Sequence, residues 1–237
     1  MTHDFALPLP SLAQGAFLSP PFIALAWLYL YVAGRCKRDR GWATGYTRKL
    51  FHILVFTTAA SVQGGLGLPA LMVFGAATSA VIFYAVLRGD GDPLFEAIAR
   101  EGDAPRRTHF ILAPYLATLV GGLLSNALFG AAAAVYGYLV AGLGDAAGEP
   151  VGTRFGRHRY RVPSPRGVVS FRSVEGSLAV FAVSFAAVAL AGRASHALGA
   201  AAIIALAAAA VEAVSPHGWD NLTMQLVPAA LAAYLLA

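Results

Sequence analysis

Charged side chains are scarce in this 237-residue chain, where Asp, Glu, Lys and Arg together make up only 12%. Soluble domains carry about 25% charged residues. Hydrophobic residues reach 58% before the 25 glycines are counted, and a soluble globule of this size could not bury so much apolar surface. The glycines show no three-residue period and the apolar content is high, which excludes collagen-like and disordered chains. The composition therefore indicates a membrane protein.

Cysteine is also nearly absent. Cys36 is the only one, which excludes an internal disulfide framework and a four-cysteine zinc site. No Lys or Arg precedes Arg35, so a cleavable signal peptide with a positive n-region is not expected. We therefore interpret the first apolar run as a retained membrane span.

Apolar runs of about 20 residues, the length of a membrane-crossing helix, recur along the sequence. They predict eight transmembrane helices, at about 17–34, 50–66, 68–87, 108–124, 126–143, 176–192, 195–214 and 221–237. The expected fold is an all-α, polytopic integral membrane helix bundle that forms a single domain over residues 1–237. Short turns are expected on one side of the membrane, around residues 64–67, Ser125 and Arg193.

The basic residues predict the orientation. With the N-terminus outside and eight crossings, every Lys and Arg except Arg193 falls in the loops 35–49, 88–107 and 144–175. The positive-inside rule assigns these loops, together with loop 214–220, to the cytoplasm. The net charge of +5 is thus explained by membrane orientation, and no nucleic-acid partner is expected. We expect the active site at the cytoplasmic face, which is that of the cell membrane in a prokaryote.

Two carboxylates stand four residues apart in the segment GLGDAAGEPVGTRFGRHRY (142–160). If this turn is helical, Asp145 and Glu149 share a face and repel each other. Mg²⁺ would relieve the repulsion, since it takes oxygen ligands from one or two carboxylates and from substrate phosphates. The pattern therefore predicts a magnesium site at Asp145 and Glu149, with Glu175 as a further metal ligand.

Glycines at four-residue spacing follow in the same segment, at positions 148, 152 and 156. Such a stripe is typical of close helix packing. Beside guanidinium groups such as that of Arg154, it also suits a polyphosphate cradle. The arginines themselves have a third use, attraction to anionic lipid. The sequence leaves these alternatives open.

A further polar segment, FRSVEGS (171–177), directly precedes the sixth span. Ser173 is placed to cap that helix, whose N-terminal N–H groups and dipole attract phosphate. Arg172 would strengthen this attraction. Glu175 suits the helix dipole, and its other interpretation is a metal ligand or general base.

The remaining polar candidates also lie at predicted cytoplasmic ends. In TRKLFH (47–52), Arg48 and Lys49 act either as an interfacial anchor or as part of a site. His52 lies deeper, where an ionisable group indicates function. Glu212 stands in an alanine- and valine-rich helix, and Asp220 is either a helix cap or a site residue.

The ordered set RKLFH, GDAAGEPVGTRFG, RSVEGS and a glutamate followed by DNLT resembles the CTP-dependent lipid-alcohol kinases. That family includes dolichol kinase, phytol kinase and the yeast-type diacylglycerol kinase, and it is distantly related to the phosphatidate cytidylyltransferases. The resemblance covers residues 48–227. It implies transfer of the γ-phosphate of CTP, with Mg²⁺, to the hydroxyl of a polyprenol, a phytol-like alcohol or diacylglycerol. Glu149 stands where aspartate is expected, and Arg172 where lysine is common.

The resemblance and the clusters together give each residue an expected role. Asp145, Arg172 and Glu175 are the predicted catalytic residues, with Glu175 the first choice of general base and Asp145 the second. The residues expected at the nucleotide are Arg48, Lys49, Gly152, Arg154, Gly156, Ser173, Gly176, Ser177, Asp220 and Asn221. His52 and Glu212 are expected to have substrate-binding or structural roles. A homodimer is left open.

Two other functions remain as alternatives. A phosphatidate cytidylyltransferase would release pyrophosphate from CTP, but the ending SPHGWDNLT lacks that family's longer C-terminal signature with its histidine–glycine–glycine–aspartate–arginine run. A transporter or a lipid-binding membrane protein would place polar residues in mid-span along a pathway. The predicted mid-span regions are almost free of charge, which favours the kinase.

Overall fold

Helices dominate the fold. In this computed structural model 84% of the described residues are helical, which confirms the all-α class. The structure describes residues 7–163, 170–192, 197–216 and 218–236. Its helices are α1 (Leu12–Arg40), α2 (Thr44–Arg88), α3 (Pro93–Ile98), α4 (Arg107–Leu139), α5 (Ala146–Phe155), α6 (Val174–Gly192), α7 (Ala197–Val214) and α8 (Asp220–Leu235). A 3₁₀ turn (Glu101–Asp103), a π-helical turn (Val140–Asp145) and two strands, β1 (Arg159–Val162) and β2 (Ser170–Ser173), complete the elements.

Several helices have the dimensions of membrane spans. Within the described residues, four helical runs are long and apolar enough to cross a membrane: Leu12–Arg40, Thr44–Arg88, Arg107–Phe155 and Val174–Gly192. The third run passes from α4 through the π-helical turn into α5. The apolar helix Leu198–Val214 is shorter. The composition-based prediction of a membrane protein therefore agrees with the fold.

The chain divides into two compact units, of which the N-terminal unit is Pro8–Leu112. Within it, the 45-residue helix α2 would be about 68 Å long if it were straight. Yet Lys37 Nζ lies 2.7 Å from Thr44 Oγ1, at the start of α2, and 2.8 Å from the carbonyl oxygen of Glu96, beyond its end. Helix α2 must therefore reverse direction along its length.

The reversal in α2 occurs at Gly67, whose φ of 82° and ψ of 177° are not helical. Glycine adopts this conformation readily, whereas a side chain would strain it. The turn predicted around residues 64–67 is thus confirmed. The two arms of α2 cover residues 44–66 and 68–88.

Helix α4 contains a second reversal. Tyr138 OH lies 2.7 Å from Asn126 Nδ2, although twelve residues of straight helix would separate the two by about 18 Å. The break is at Gly130, with φ 81° and ψ 164°. The turn predicted at Ser125 is therefore wrong, because Ser125 is fully buried within the first arm. Hydropathy could not locate a break that depends on the backbone conformation of one glycine.

The predicted cytoplasmic loops contain regular structure. Between α1 and α2, only residues 41–43 of the predicted loop 35–49 are non-helical. The predicted loop 144–175 contains α5 and the antiparallel pair β1–β2, in which Tyr160 is opposite Arg172. Arg193, at the predicted turn between the sixth and seventh spans, lies outside the described residues.

The C-terminal unit contains Ala113–Ala237. Helix α6 packs against both α5 and α7, and α7 packs against α8. Strand β2 runs directly into α6, so the hairpin is attached to the N-terminus of a central helix of this unit. The prediction of one integral domain over the whole chain stays a prediction.

Glu96 organises the segment between α2 and α4 in the N-terminal unit. Arg107 Nη1 and Nη2 lie 3.0 and 2.6 Å from its two carboxylate oxygens, and Lys37 Nζ lies 3.3 Å from Oε2. The backbone N–H of Gly91 also donates to it. These contacts, the Arg107 hydrogen bonds first, lower the pKa of Glu96 from 4.5 to about 2.

Acid should therefore destabilise the protein through Glu96. A carboxylate whose folded pKa lies below its unfolded pKa stabilises the fold at higher pH, and this contribution is lost as the pH falls from about 4.5 towards 2. We expect the thermal midpoint in detergent to fall over this range, and to fall less steeply in Glu96→Gln. The control is Asp90→Asn, whose side chain is 77% exposed although it also contacts Arg107. Equal slopes for wild type and Glu96→Gln would contradict the assignment.

Candidate functional site

Two of the sequence motifs, RSVEGS and the glutamate followed by DNLT, meet around Arg172 in the C-terminal unit. Arg172 Nε lies 2.8 Å from Glu212 Oε1, and its Nη2 lies 3.0 Å from Asp220 Oδ2. The three side chains are only 12%, 9% and 17% exposed, respectively. Because Arg172 belongs to β2, Glu212 to α7 and Asp220 to α8, one guanidinium joins three elements. We call these three residues the Arg172 cluster.

The hairpin places a tyrosine beside this cluster. Tyr160 is opposite Arg172 in the strand register, and its OH lies 2.7 Å from Ser177 Oγ. Ser177 Oγ in turn donates to Glu212 Oε2 over 3.4 Å. Burial raises the pKa of the Tyr160 phenol, and the nearby charge of Glu212 raises it further. Both oxygens of Glu212 are thus engaged, one by Arg172 and one by Ser177.

The charges of the Arg172 cluster do not cancel. One guanidinium faces two carboxylates, which leaves one negative charge in excess when all three are ionised. Within the described part of the chain, Arg172 Nη1 is buried and has no hydrogen-bond partner. A buried unsatisfied donor costs about 1–3 kcal/mol, so this nitrogen is a candidate contact for an oxygen atom of a ligand.

The glycine stripe of α5 packs directly on α6. A Cβ at Gly148 would lie 2.8 Å from Val180 Cγ2, and one at Gly152 would lie 2.9 Å from Ser173 Oγ. Gly176 faces the stripe from α6, where a Cβ would lie 2.8 Å from the carbonyl oxygen of Gly148. The structure thus supports close helix packing for the stripe, one of the alternatives that the sequence left open. It also brings segments 145–149 and 172–177 next to each other.

The backbone donors of two predicted nucleotide-binding glycines already have partners. The N–H of Gly156 bonds to the carbonyl oxygen of Gly152 at 3.0 Å. The N–H of Gly176 donates to Ser173 Oγ at 3.1 Å, which confirms the predicted cap of α6. Nucleotide binding at these glycines stays a prediction. Their own N–H groups already donate to protein oxygens and are therefore not the donors that would bind a phosphate.

Glu175, in the first turn of α6, is held by a residue that the sequence did not indicate. His158 Nδ1 lies 2.8 Å from Glu175 Oε1, and the backbone N–H of His158 lies 3.3 Å from both carboxylate oxygens. The side chain of Glu175 is 24% exposed. These hydrogen bonds hold the carboxylate in one orientation and stabilise its charged form, while part of the side chain stays open to solvent.

The predicted metal ligands are only partly assembled. Asp145 is buried at the end of the π-helical turn, and the half-buried Glu149 follows one helical turn later on α5. No group of three His, Cys, Asp or Glu side chains that could hold a metal ion occurs among the described residues. Asp145, Glu149 and Glu175 therefore do not form a three-ligand set. Two carboxylates one turn apart still meet the minimum that Mg²⁺ takes from protein when phosphates complete its shell.

The other predicted residues are not part of the Arg172 cluster, and some of them belong to the other unit. Asn221 donates to Thr118 Oγ1 at 2.8 Å and thereby ties α8 to α4. Arg154 is exposed near the end of α5. Arg48, Lys49 and His52 are half-buried on the first arm of α2, in the N-terminal unit. The predicted nucleotide or substrate roles of these residues stay predictions.

Sequence reasoning missed Tyr160 and His158 because it treated residues 144–175 as a loop. A signal for the hairpin was present. The stretch Arg159–Val162 alternates arginine with tyrosine and valine, as a half-buried strand does, and Pro163 begins a run, PSPRG, that is rich in residues that favour turns. The two strands on either side of that run would have placed Tyr160 beside Arg172.

The structure therefore brings together Arg172, Ser177, Glu212 and Asp220, with Tyr160 added, and places Glu175 with His158 on the same hairpin and helix. The function of this arrangement has to be argued from its chemistry and from the motifs. No family model matches the chain, and no curated protein or solved structure is similar to it.

Removing the guanidinium of Arg172 should destabilise the protein strongly. Arg172→Gln leaves two largely buried carboxylates without their cation, and breaking such an ion pair costs about 3 kcal/mol or more. Unfolding by denaturant in detergent micelles measures the change. The double variant Arg172→Gln/Glu212→Gln should recover part of the loss, because it removes one of the stranded charges.

The matched control is Arg161→Gln, on the same hairpin. Arg161 is exposed and pairs with Phe171 in the strand register, so its loss should change the unfolding free energy by no more than about 0.5 kcal/mol. Similar effects at positions 161 and 172 would show that the ion pairs of the Arg172 cluster contribute nothing to stability.

Proposed function

We propose that this chain is a membrane-embedded kinase that transfers the γ-phosphate of CTP to the hydroxyl of a lipid alcohol. The observation that carries the proposal is the Arg172 cluster. Residues from two motifs of the resemblance, RSVEGS and the glutamate followed by DNLT, share one buried ion-pair network although they lie up to 48 positions apart. Charged residues are rare in this chain, and helix packing does not require them. Ionisable residues in a membrane protein of this kind indicate function by default.

Arg172 is the proposed phosphate-binding residue. Glu212 and Asp220 hold its Nε and Nη2, which fixes the plane of the guanidinium and leaves Nη1 available. A guanidinium that is already oriented pays little entropy when it binds an anion. Phosphoryl transfer depends mainly on positioning and on charge neutralisation, and a fixed donor contributes the positioning at one phosphate oxygen.

Asp145 and Glu149 are the proposed magnesium ligands on the protein side. When bound there, the ion would neutralise charge on the phosphates of CTP. The contact of α5 with α6 supports this placement, because Gly148 lies between the two carboxylates in sequence and packs against Val180. The nucleotide phosphates would then lie between this turn and the start of α6.

Glu175 is the proposed general base for the lipid hydroxyl. An alcohol is a weak nucleophile, and a positioned base contributes about 10²–10⁴-fold to the rate. His158 orients the carboxylate, and the exposed part of the side chain can receive the proton. The lipid alcohol would enter from the bilayer, with its hydroxyl at the inner interface.

We further propose eight membrane spans with the N-terminus outside. The reversals at Gly67 and Gly130 divide the two longest helical runs into arms of residues 44–66, 68–88, 107–129 and 131–155. The first three arms each have at least 20 residues, which is long enough to cross the bilayer, and the fourth has 13 residues before the predicted loop 144–175 begins. With α1, α6, α7 and α8 these arms make eight segments, and the positive-inside rule then places loops 35–49, 88–107 and 144–175 in the cytoplasm.

A transfer assay tests the proposed activity. Purified protein in detergent receives Mg²⁺, CTP or ATP labelled at the γ-phosphate, and in separate reactions a polyprenol, phytol or diacylglycerol. We expect label in a lipid monophosphate with CTP. Pyrophosphate release that requires phosphatidate would instead identify a cytidylyltransferase, and no turnover with any acceptor would favour a transporter or a lipid-binding protein.

Two variants assign roles in the same assay. Asp145→Asn should abolish turnover while the protein still inserts into membranes, and Glu175→Gln should lower kcat by about 10²–10⁴-fold. Asp90→Asn, an exposed carboxylate of the N-terminal unit, is the control and should stay active. Near-normal activity of Asp145→Asn would remove the proposed metal site.

Cysteine labelling tests the topology. In a Cys36→Ser background, Leu66→Cys and Thr153→Cys place single thiols at exposed positions near the first reversal and near the end of α5. A membrane-impermeant maleimide should label position 66 in intact cells, and position 153 only after permeabilisation. Labelling of both from the same side would contradict the proposed number of spans.

A further inference from the structure

A second candidate site lies in the N-terminal unit, and its lining residues belong to none of the motifs used above. A cavity of about 160 Å³ lies where the end of α1, the end of α2 and the start of α3 meet, and Trp27, Tyr31, Arg35, Arg38, Tyr84 and Asp92 contribute to its lining. We propose that this cavity binds the phosphate-bearing headgroup of an anionic phospholipid. This binding would be independent of the proposed kinase activity.

The aromatic side of the cavity is already filled by a stack along α1. The rings of Trp27 and Tyr31 are nearly parallel, at 10°, with centroids 4.9 Å apart. The guanidinium carbon of Arg35 lies 6.0 Å from the centroid of the Tyr31 ring. The ring of Tyr31 is therefore flanked by Trp27 from the preceding helical turn and by Arg35 from the following one. An aromatic cage for a quaternary ammonium, as in choline headgroups, needs free ring faces, so this geometry disfavours a zwitterionic choline lipid.

The charges around the cavity favour an anion. Arg35 and Arg38 share one carboxylate, because the Nε atoms of both contact Asp39. Asp92, the acidic lining residue, is bound by Arg88 Nε at 2.9 Å. Two guanidinium groups with one shared carboxylate leave one positive charge in excess. Each guanidinium carries five N–H donors, so both retain donors beyond their Nε for phosphate oxygens.

The lining follows the polarity of a phospholipid. Trp27 precedes Arg35 by two helical turns, about 12 Å along α1. Trp and Tyr prefer the membrane interface, and basic residues prefer its aqueous edge. An apolar and aromatic end below a basic end matches the join between the glycerol region and the headgroup. Basic pockets between membrane helices bind anionic headgroups in this way.

The size of the cavity selects among phosphate compounds. Its volume of about 160 Å³ is below the roughly 300–1,000 Å³ of pockets that enclose a cofactor or a drug-sized ligand. A phosphodiester group fits, whereas a whole nucleotide does not. Inorganic phosphate shares this chemistry, but it would make no use of Trp27 and Leu94 in the cavity wall.

Quenching of Trp27 fluorescence by brominated lipid tests the proposal. The chain has three tryptophans, so Trp42→Phe/Trp219→Phe leaves Trp27 as the only one. The variant is placed in phosphatidylcholine nanodiscs with increasing fractions of brominated phosphatidylglycerol or, in parallel, brominated phosphatidylcholine. We expect half-maximal quenching at an about fivefold lower fraction of phosphatidylglycerol, the factor that one basic group near an anionic surface provides. Equal curves for the two lipids would overturn the proposal, whatever the further variants show.

Matched charge variants locate the effect. Arg35→Gln/Arg38→Gln should remove the preference, whereas Arg40→Gln/Arg161→Gln removes the same charge outside the cavity lining and should keep it. A preference lost equally in both pairs would indicate general surface attraction and would overturn the site.

Inorganic phosphate, compared with sodium chloride at equal ionic strength, should not relieve the quenching. Relief by phosphate alone would identify a free-phosphate site and would overturn binding of a lipid.

Discussion

The ion pairs of Arg172 constrain the C-terminal unit more than any other contact described. A guanidinium and two carboxylates that are largely removed from solvent are stable only while they face each other. Glu212 is surrounded on α7 by alanine and valine, which offer it no polar partner. The end of α7, the start of α8 and the strand β2 are therefore tied to a single position. The cap of α6 and the place of Tyr160 both follow from that strand.

Backbone contact between α5 and α6 complements these charges. Glycines on α5 let the two helices approach until side-chain atoms of one nearly touch the backbone of the other. Such contact gains dispersion energy without large side chains, which suits a membrane protein whose lipid neighbours are equally apolar. The same approach brings the segment 145–149 next to the start of α6. Packing glycines and proposed site residues therefore share one short stretch of helix.

The sequence predicted the apolar helices well, since a membrane span leaves a strong hydropathy signal. It located the reversal at Gly67 but placed the next one at Ser125 instead of Gly130, because neither position is marked by charge. It grouped Arg172, Glu212 and Asp220 at one membrane face through the motifs, yet it could not pair them, since the pairing depends on how β2, α7 and α8 pack together. The polar stretch 144–175 concealed a hairpin, because the alternation of four residues is a weak signal beside long helices.

The π-helical turn Val140–Asp145 has a consequence for the helix that contains it. Before this turn, Gly137 packs against Gln225 of α8, and after it Gly148 packs against α6. Each residue of an α-helix advances by about 100° around the axis, so the extra residue accommodated by a π turn rotates everything downstream by about that angle. A continuous helical run can in this way direct one side towards α8 before the turn and a different side towards α6 after it. Asp145, the last residue of the turn, directly follows Gly144, which already packs against Ser184 of α6.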